Sequence, residues 1–150
     1  MPSSEPRPQA VTRIGRRWDE RREAVLVRLL EAQNTHDVDT AVDCFEHPRY
    51  ELLGNARVYD GPDEVRSWFA TMYHIFPDLT MEIAALHHAD DAVVAELWMS
   101  GTHLGSGPGD VEATGRGFRC RTAVIFTFAE DRLTGARVYY DTGTIARQLA

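Results

Sequence analysis

Residues 79–104 read LTMEIAALHHADDAVVAELWMSGTHL, and this stretch decides the class of fold. Apolar residues alternate with polar or small ones over 79–85, and a longer apolar segment follows over 92–104. Because successive side chains of a β-strand point to opposite faces, a period of two indicates strands rather than helices. The stretch therefore predicts two antiparallel strands joined by a turn at 88–91.

Both faces of the strand predicted at 92–104 are largely apolar. One face carries a continuous apolar row: Val93, Ala95, Leu97 and Met99. The opposite face carries Val94 and Trp98. A sheet that packs on helices needs only one apolar face, so the second face predicts a contact with another protein surface, most simply a homodimer through the sheet. The alternative is a sheet curved strongly enough to cover part of itself.

The elements around this stretch complete an α+β pattern. Helical spacing of apolar residues predicts three helices before it, at about 15–34, 38–45 and 61–76, with two short strands, 49–53 and 56–59, between the second helix and the third. After it come a glycine-rich loop, two more strands and a short closing helix: 105–117, 118–128, 133–141 and 144–149. The sequence thus predicts three N-terminal helices packed on a mainly antiparallel sheet, with residues 1–14 as a flexible tail and 15–150 as a single domain.

Composition narrows the classes of function. All sixteen basic residues are arginine and the net charge is −7, with the acidic excess lying after residue 28, so nucleic acid is not an expected partner. We find neither a transmembrane stretch nor a signal peptide, and we expect no membrane association. The only cysteines, Cys44 and Cys120, lie far apart, which predicts reduced thiols and a cytoplasmic location.

Several short motifs, in their order and spacing, carry a family resemblance. They are FPDL at 76–79, SGTHLG at 100–105, TGRGF at 114–118, and an aspartate, Asp141, followed by RQL at 147–149. Over about residues 22–149 the chain resembles the SnoaL-like polyketide cyclase branch of the NTF2-like superfamily. The resemblance implies a cone fold with a strongly curved, mainly antiparallel sheet. That fold serves cyclases, isomerases, dehydratases and non-catalytic binding domains, so the resemblance does not decide the reaction.

Asp141 is the first catalytic candidate, because in the polyketide cyclases that the chain resembles the acid/base is an aspartate at the matching position. A carboxylate facing an apolar cavity has a raised pKa and can move a proton to and from carbon. The alternative is that Asp141 caps the closing helix. His103 is the second candidate, as an orienting or electrophilic partner, and the alternative is a structural histidine that bonds the loop backbone.

Large or polar residues on the helices and strands are the candidates for a ligand pocket. We expect the pocket to be formed by a mixed aromatic and polar set: Tyr50, Trp68, Met72, His74, Phe76, Trp98 and Tyr139. Alternation along the strands does not tell which face of the sheet lines it. Tyr50 or Tyr139 could donate a hydrogen bond to a ligand.

No histidine pair has metal-ligand spacing and no nucleotide-binding motif is present, so we expect neither a metal nor a cofactor. The resemblance to the polyketide cyclases, with Asp141 at their acid/base position, implies a cofactor-independent lyase or isomerase acting on an apolar, polyketide-like or other carbonyl compound. The alternative is a non-catalytic small-molecule-binding or dimeric scaffold domain of the same fold.

Overall fold

The computed structural model describes residues 17–107 and 111–150, so the tail predicted at 1–14 lies outside the described residues. The described helices are α1 (Asp19–Asn34), α2 (Val38–Asp43), α3 (Pro62–Ile75) and α4 (Thr142–Leu149). The strands are β1 (Arg49–Leu52), β2 (Arg57–Asp60), β3 (Thr80–His88), β4 (Ala92–Thr102), β5 (Gly117–Ala129) and β6 (Arg132–Tyr139). No helix in these two ranges is long and apolar enough to cross a membrane.

The six strands form one curved sheet in the order β2-β1-β6-β5-β4-β3. Strands β3 to β6 follow one another as an antiparallel meander, and β1 also pairs antiparallel with β2. Only the β1–β6 pair is parallel, which joins the short hairpin to the meander. The α+β class and the mainly antiparallel sheet predicted from the sequence are therefore confirmed.

The alternation along β4 separates a core face from an outer face, as the period of two predicts. Val93, Leu97 and Met99 are buried, whereas Val94 and Trp98 are only partly buried. Most of the inner face packs in one core cluster with apolar residues of the helices, including Leu29 of α1 and Phe69 of α3, while Met99 packs in a second cluster with Phe76. The helices and this inner face thus enclose one side of the sheet.

The alternation predicted for β3 is wrong beyond Ile83, because the strand contains a β-bulge. The expected row Leu79, Met81, Ile83 and Ala85 assumes an unbroken period of two, but the register shifts between Ile83 and Ala85. Beyond the bulge, Ala85 pairs with Glu96 on the outer face and Leu86 pairs with the buried Ala95. The extra residue therefore reverses the faces and lets the strand continue to His88.

Arg22 fastens α1 to two turns of the meander. Its side chain is buried, with 2% of the residue exposed, and it donates three hydrogen bonds to backbone carbonyls. Nε donates to Glu130 O (2.6 Å), Nη1 to Ala89 O (3.2 Å) and Nη2 to Asp90 O (3.0 Å). The guanidinium also lies over the Phe128 ring, 5.3 Å from its centroid. One side chain therefore joins α1 to the β3–β4 and β5–β6 turns.

Candidate functional site

A cavity of about 580 Å³ lies between the helices and the inner face of the sheet. Its wall is mostly apolar and is formed by α1, α3, the β1–β2 hairpin, the long strands and α4. Leu30, Leu97 and Phe126 belong to its buried part. The lining residues that are exposed, where the cavity meets solvent, are Asn34, Asn55, Arg57, Ser67 and Thr71. Its size and lining suit a small organic molecule.

The β1–β2 hairpin directs four side chains into this cavity. Tyr50 pairs with Tyr59, and Leu52 pairs with Arg57. Residues directly opposite in an antiparallel pair point to the same face, and all four line the cavity. Val58, between the two inward residues of β2, is exposed. The alternation along the hairpin therefore places both aromatic rings and one charged side chain on the cavity face.

Gln33, Tyr50 and Tyr73 form a hydrogen-bonded group in the cavity wall. Gln33 Nε2 donates to Tyr50 Oη over 2.7 Å, and Tyr73 Oη donates to Gln33 O over 2.9 Å. Within the described residues, the Tyr50 hydroxyl hydrogen has no acceptor, so the hydroxyl can donate into the cavity. Burial raises the pKa of Tyr50 well above its usual range and the pKa of Tyr73 to about 12. Both hydroxyls are therefore donors rather than proton acceptors at neutral pH.

Aromatic rings give the cavity a flat wall. The Trp68 ring stacks on Tyr59, with centroids 5.3 Å apart and planes 14° apart. It also stacks on Phe69 (5.0 Å, 26°) and lies 4.9 Å from Tyr50. Such an array presents ring faces to a planar ligand.

The structure places four of the predicted pocket residues on the cavity and three elsewhere. Tyr50, Trp68, Met72 and Phe76 line it. His74, Trp98 and Tyr139 do not, because each lies on a face of its helix or strand that points away from the cavity. His74 lies on the exposed side of α3, and Tyr139 is 42% exposed while its neighbour Tyr140 turns inward.

Trp98 lies on the outer face of the sheet, not in the cavity. The guanidinium groups of Arg119 and Arg121 lie 3.8 Å and 4.5 Å from the centroid of its ring. The two arginines share a face of β5, as alternation along a strand requires, and both stack on the indole.

Asp141 is exposed and caps α4. Its side chain is 68% exposed and accepts hydrogen bonds from Gly143 N (3.0 Å) and Thr144 Oγ1 (2.7 Å). The bond from Thr144, and then that from Gly143, hold the pKa of this carboxyl below its usual 3.8. The raised pKa expected of a carboxylate facing an apolar cavity is therefore not found, and Asp141 does not line the cavity.

His103 is buried, with 5% of the residue exposed, and lies between the end of β4 and the glycine-rich loop. Thr114 N donates to its Nδ1 over 3.3 Å, and its backbone carbonyl accepts from Gly115 N over 2.9 Å. The ring also lies 5.8 Å from that of Phe76. His103 and Asp141 are not brought together on the cavity, and the contacts of His103 are those of a residue that holds the loop.

Three functional candidates escaped the sequence analysis: Gln33, Arg57 and Tyr140. A signal existed for Gln33, since it follows the buried Leu29 and Leu30 at helical spacing and so continues the apolar stripe with a polar residue. Arg57 and Tyr140 gave no such signal, because their inward direction depends on strand pairing and on the turn before α4.

The remaining reactive groups offer no metal site or activated nucleophile in the part of the chain that is described. No cluster of three or more His, Cys, Asp or Glu side chains there could hold a metal ion. Burial raises the pKa of both thiols, Cys44 and Cys120, so they are protonated at neutral pH.

Comparison with known proteins gives one family and one fold. The sequence profile of the SnoaL-like polyketide cyclase family matches residues 23–149. No curated protein matches the sequence. Among solved structures, TsrD from Streptomyces laurentii is 24% identical, with a TM-score of 0.74 and coverage of 87% of this chain and 96% of that one.

Two further structures have the same architecture. IdmH from Streptomyces antibioticus, a candidate polyketide cyclase, is 21% identical, with a TM-score of 0.73 and coverage of 85% and 97%. A protein of ketosteroid isomerase-like fold from Catenulispora acidiphila, solved in complex with trimethylamine, is 16% identical, with a TM-score of 0.70 and coverage of 83% and 90%. These likenesses show that the chain has the ketosteroid isomerase-like, or NTF2-like, fold.

Proposed function

Since this chain belongs to the SnoaL-like polyketide cyclase family, we propose that it binds a flat, apolar small molecule in its cavity, with a carbonyl or hydroxyl oxygen of the ligand at Tyr50. One observation carries the proposal: an apolar, aromatic-walled cavity ends at a tyrosine hydroxyl that is held by Gln33 and has its hydrogen free. The Catenulispora structure, which contains trimethylamine, gives a precedent for a small molecule bound to this fold.

The pairing with Gln33 makes Tyr50 a directed donor. Because Gln33 Nε2 already donates to the hydroxyl oxygen, the hydroxyl hydrogen must point elsewhere. A ligand oxygen that accepts this hydrogen also offsets the free-energy cost of burying the Tyr50 hydroxyl without an acceptor. The rest of the ligand contributes binding free energy because its rings and those of the cavity wall are removed from water.

The Tyr50→Phe variant tests this arrangement with two ligands of nearly equal shape, 2-acetylnaphthalene and 2-ethylnaphthalene. Loss of one hydrogen bond is expected to weaken binding of the ketone about fivefold. Binding of the hydrocarbon should stay within about twofold, since it makes no such bond. Quenching of tryptophan fluorescence, with Trp68 in the cavity wall, measures both affinities.

Tyr59→Phe is the matched control, because Tyr59 also lines the cavity and its hydroxyl makes no hydrogen bond within the described residues. It should leave both affinities unchanged. Equal weakening of ketone and hydrocarbon by Tyr50→Phe, or no binding of either ligand by the unmodified protein, would count against the proposal.

The second candidate function is the predicted cofactor-independent lyase or isomerase with Asp141 as acid/base and His103 as its partner. Family membership favours it, and Asp141 directly follows the cavity residue Tyr140. Its exposure, its cap bonds and the direction of its pKa favour the binding function instead. Catalysis by Asp141 and His103 stays a prediction.

Thermal melting of Asp141→Asn against pH distinguishes the two roles. The folded pKa of Asp141 is lowered, so its contribution to stability is present above pH 3.8 and is lost as the pH falls through the folded pKa. The variant should melt below the unmodified protein at pH 7 and converge with it below about pH 4, because an amide offers one acceptor oxygen where the carboxylate offers two.

Thr144→Ala, which removes one of the cap bonds without removing charge, should lower the melting temperature at neutral pH in the same direction. If Asp141→Asn instead melted higher at pH 7, the carboxylate would be a buried, strained acid, and the catalytic role would regain its support.

A homodimer through the outer face of the sheet is part of the same proposal, as is a cytoplasmic location. Partly exposed apolar side chains, Val94, Ile125 and Tyr139, lie there beside Glu96 and the arginines of β5. Opposite charges on one face allow two copies related by a twofold axis to pair acid with base. Sedimentation equilibrium should give about twice the 16.9 kDa mass of one chain, whereas a single-chain mass would exclude the dimer.

A further inference from the structure

We propose that the ligand is an organic acid, whose carboxylate or similar anionic group is held at the cavity mouth by Arg57 while its apolar body fills the cavity. This inference rests on the proposed binding function and adds the charge of the ligand to it.

Among the described residues that line the cavity, Arg57 alone is charged. Its pairing with Leu52 places both residues on the cavity face of the hairpin. Within the described residues, no carboxylate lies within 4 Å of its guanidinium. An arginine without a counter-ion at the edge of an apolar cavity is suited to a carboxylate, which it can bind through two parallel hydrogen bonds.

Asn55 and Tyr140 add two neutral donors next to this cation. Asn55 Oδ1 accepts from Arg57 N over 3.1 Å, which leaves the Asn55 amide hydrogens available to a ligand. Burial raises the pKa of the Tyr140 hydroxyl, although the positive charge of Arg57 opposes this rise. The hydroxyl therefore stays protonated and able to donate.

Gly54 explains why Tyr140 lies over the hairpin turn. A Cβ at Gly54 would come within 2.7 Å of the Tyr140 ring, so only glycine lets the ring approach this closely. The mouth thus combines a guanidinium, an amide and a hydroxyl, all of them donors and all lining the cavity. Such a set matches an anion and offers little to a cationic ligand.

The test compares 2-naphthoate with methyl 2-naphthoate, which share one ring system and differ mainly in charge. Both are titrated by calorimetry into the full chain and into Arg57→Gln. We expect the substitution to weaken binding of the acid about three- to tenfold, since it removes a charge-assisted pair, and to leave the ester within about twofold. Arg28→Gln, an exposed arginine of α1 that does not line the cavity, should change neither affinity.

Each of the other outcomes has a distinct meaning. If the ester binds and Arg57→Gln leaves the acid unaffected, or weakens acid and ester equally, the organic-acid inference is overturned and the binding function stands. If neither compound binds the unmodified protein, the proposed binding function fails and this inference fails with it. A charge effect in Arg28→Gln equal to that in Arg57→Gln would assign the preference to the general field of the protein and also overturn the inference.

Discussion

Replacing Arg22 by methionine is expected to lower the free energy of unfolding by about 3–5 kcal/mol. Three backbone carbonyls, those of Glu130, Ala89 and Asp90, would lose their donor together. The ring of Phe128 would lose the guanidinium that covers it. Methionine fills part of the space but donates nothing, so these three carbonyls would lose their donor within the protein.

The large loss of stability follows from the turns that Arg22 holds, in particular the β5–β6 turn at Glu130. Glu130 has a left-handed backbone, with φ of 58°, and its carbonyl accepts from Arg22 Nε. A non-glycine residue in this region carries strain, which the bond from Arg22 helps to offset. Since a domain of this size has a total stability of about 5–15 kcal/mol, the loss would be a large fraction of it.

Urea unfolding monitored by circular dichroism measures the change, with two comparison variants. Arg22→Lys keeps the charge and part of the stem but not the planar fork of donors, and we expect it to lose about half as much. Arg21→Met removes the adjacent exposed arginine, whose ion pair with Asp131 is 3.7 Å long, and should cost less than about 0.5 kcal/mol. An Arg22→Met variant no less stable than Arg21→Met would refute the role assigned to this side chain.

Local patterns in the sequence were sufficient to predict most of the fold. The period of two over 92–104 correctly separated the buried residues of β4 from its outer ones, and the helical spacing over 61–76 correctly predicted α3. The bulge in β3 was missed, because its register is set by pairing with β4 and not by the residues of β3 alone. The contacts of Arg22 were missed for a related reason, since its partners lie 67 to 108 residues away in the chain.

The site was less predictable than the fold, because alternation gives relative faces but not which face meets the cavity. Trp98 and Tyr139 have the size and chemistry of pocket residues, yet strand pairing turns them to the outer side. Asp141 could be interpreted from sequence either as a buried acid or as a helix cap, and only its observed bonds to Gly143 and Thr144 favour the cap. No local sequence pattern identifies Arg57 as a site residue, because its role is inferred from the uncharged residues that surround it in the fold.

Gly105→Ala is expected to destabilise the protein by about 2–4 kcal/mol and to displace the start of the glycine-rich loop. A Cβ at this position would lie 1.9 Å from the backbone oxygen of His74, and neither atom can move aside unless its own backbone moves. The segment is held there by two bonds to one acceptor, from Leu104 N and Gly105 N to Ile75 O, over 3.0 and 3.1 Å. Both bonds would be broken if the chain withdrew to make room for the methyl group.

The effect should extend to the cavity, because Ile75 and Phe76 line it and directly follow the carbonyl that the methyl group would strike. Gly107→Ala is the control within the same loop: its Cβ would meet Val111 at 3.6 Å, an ordinary contact, and its cost should stay below about 0.5 kcal/mol. Hydrogen exchange at the Leu104 and Gly105 amides reports the broken bonds directly. Slow exchange at both amides in Gly105→Ala, with a stability equal to that of Gly107→Ala, would mean that the end of α3 moves instead and that the close approach is not required.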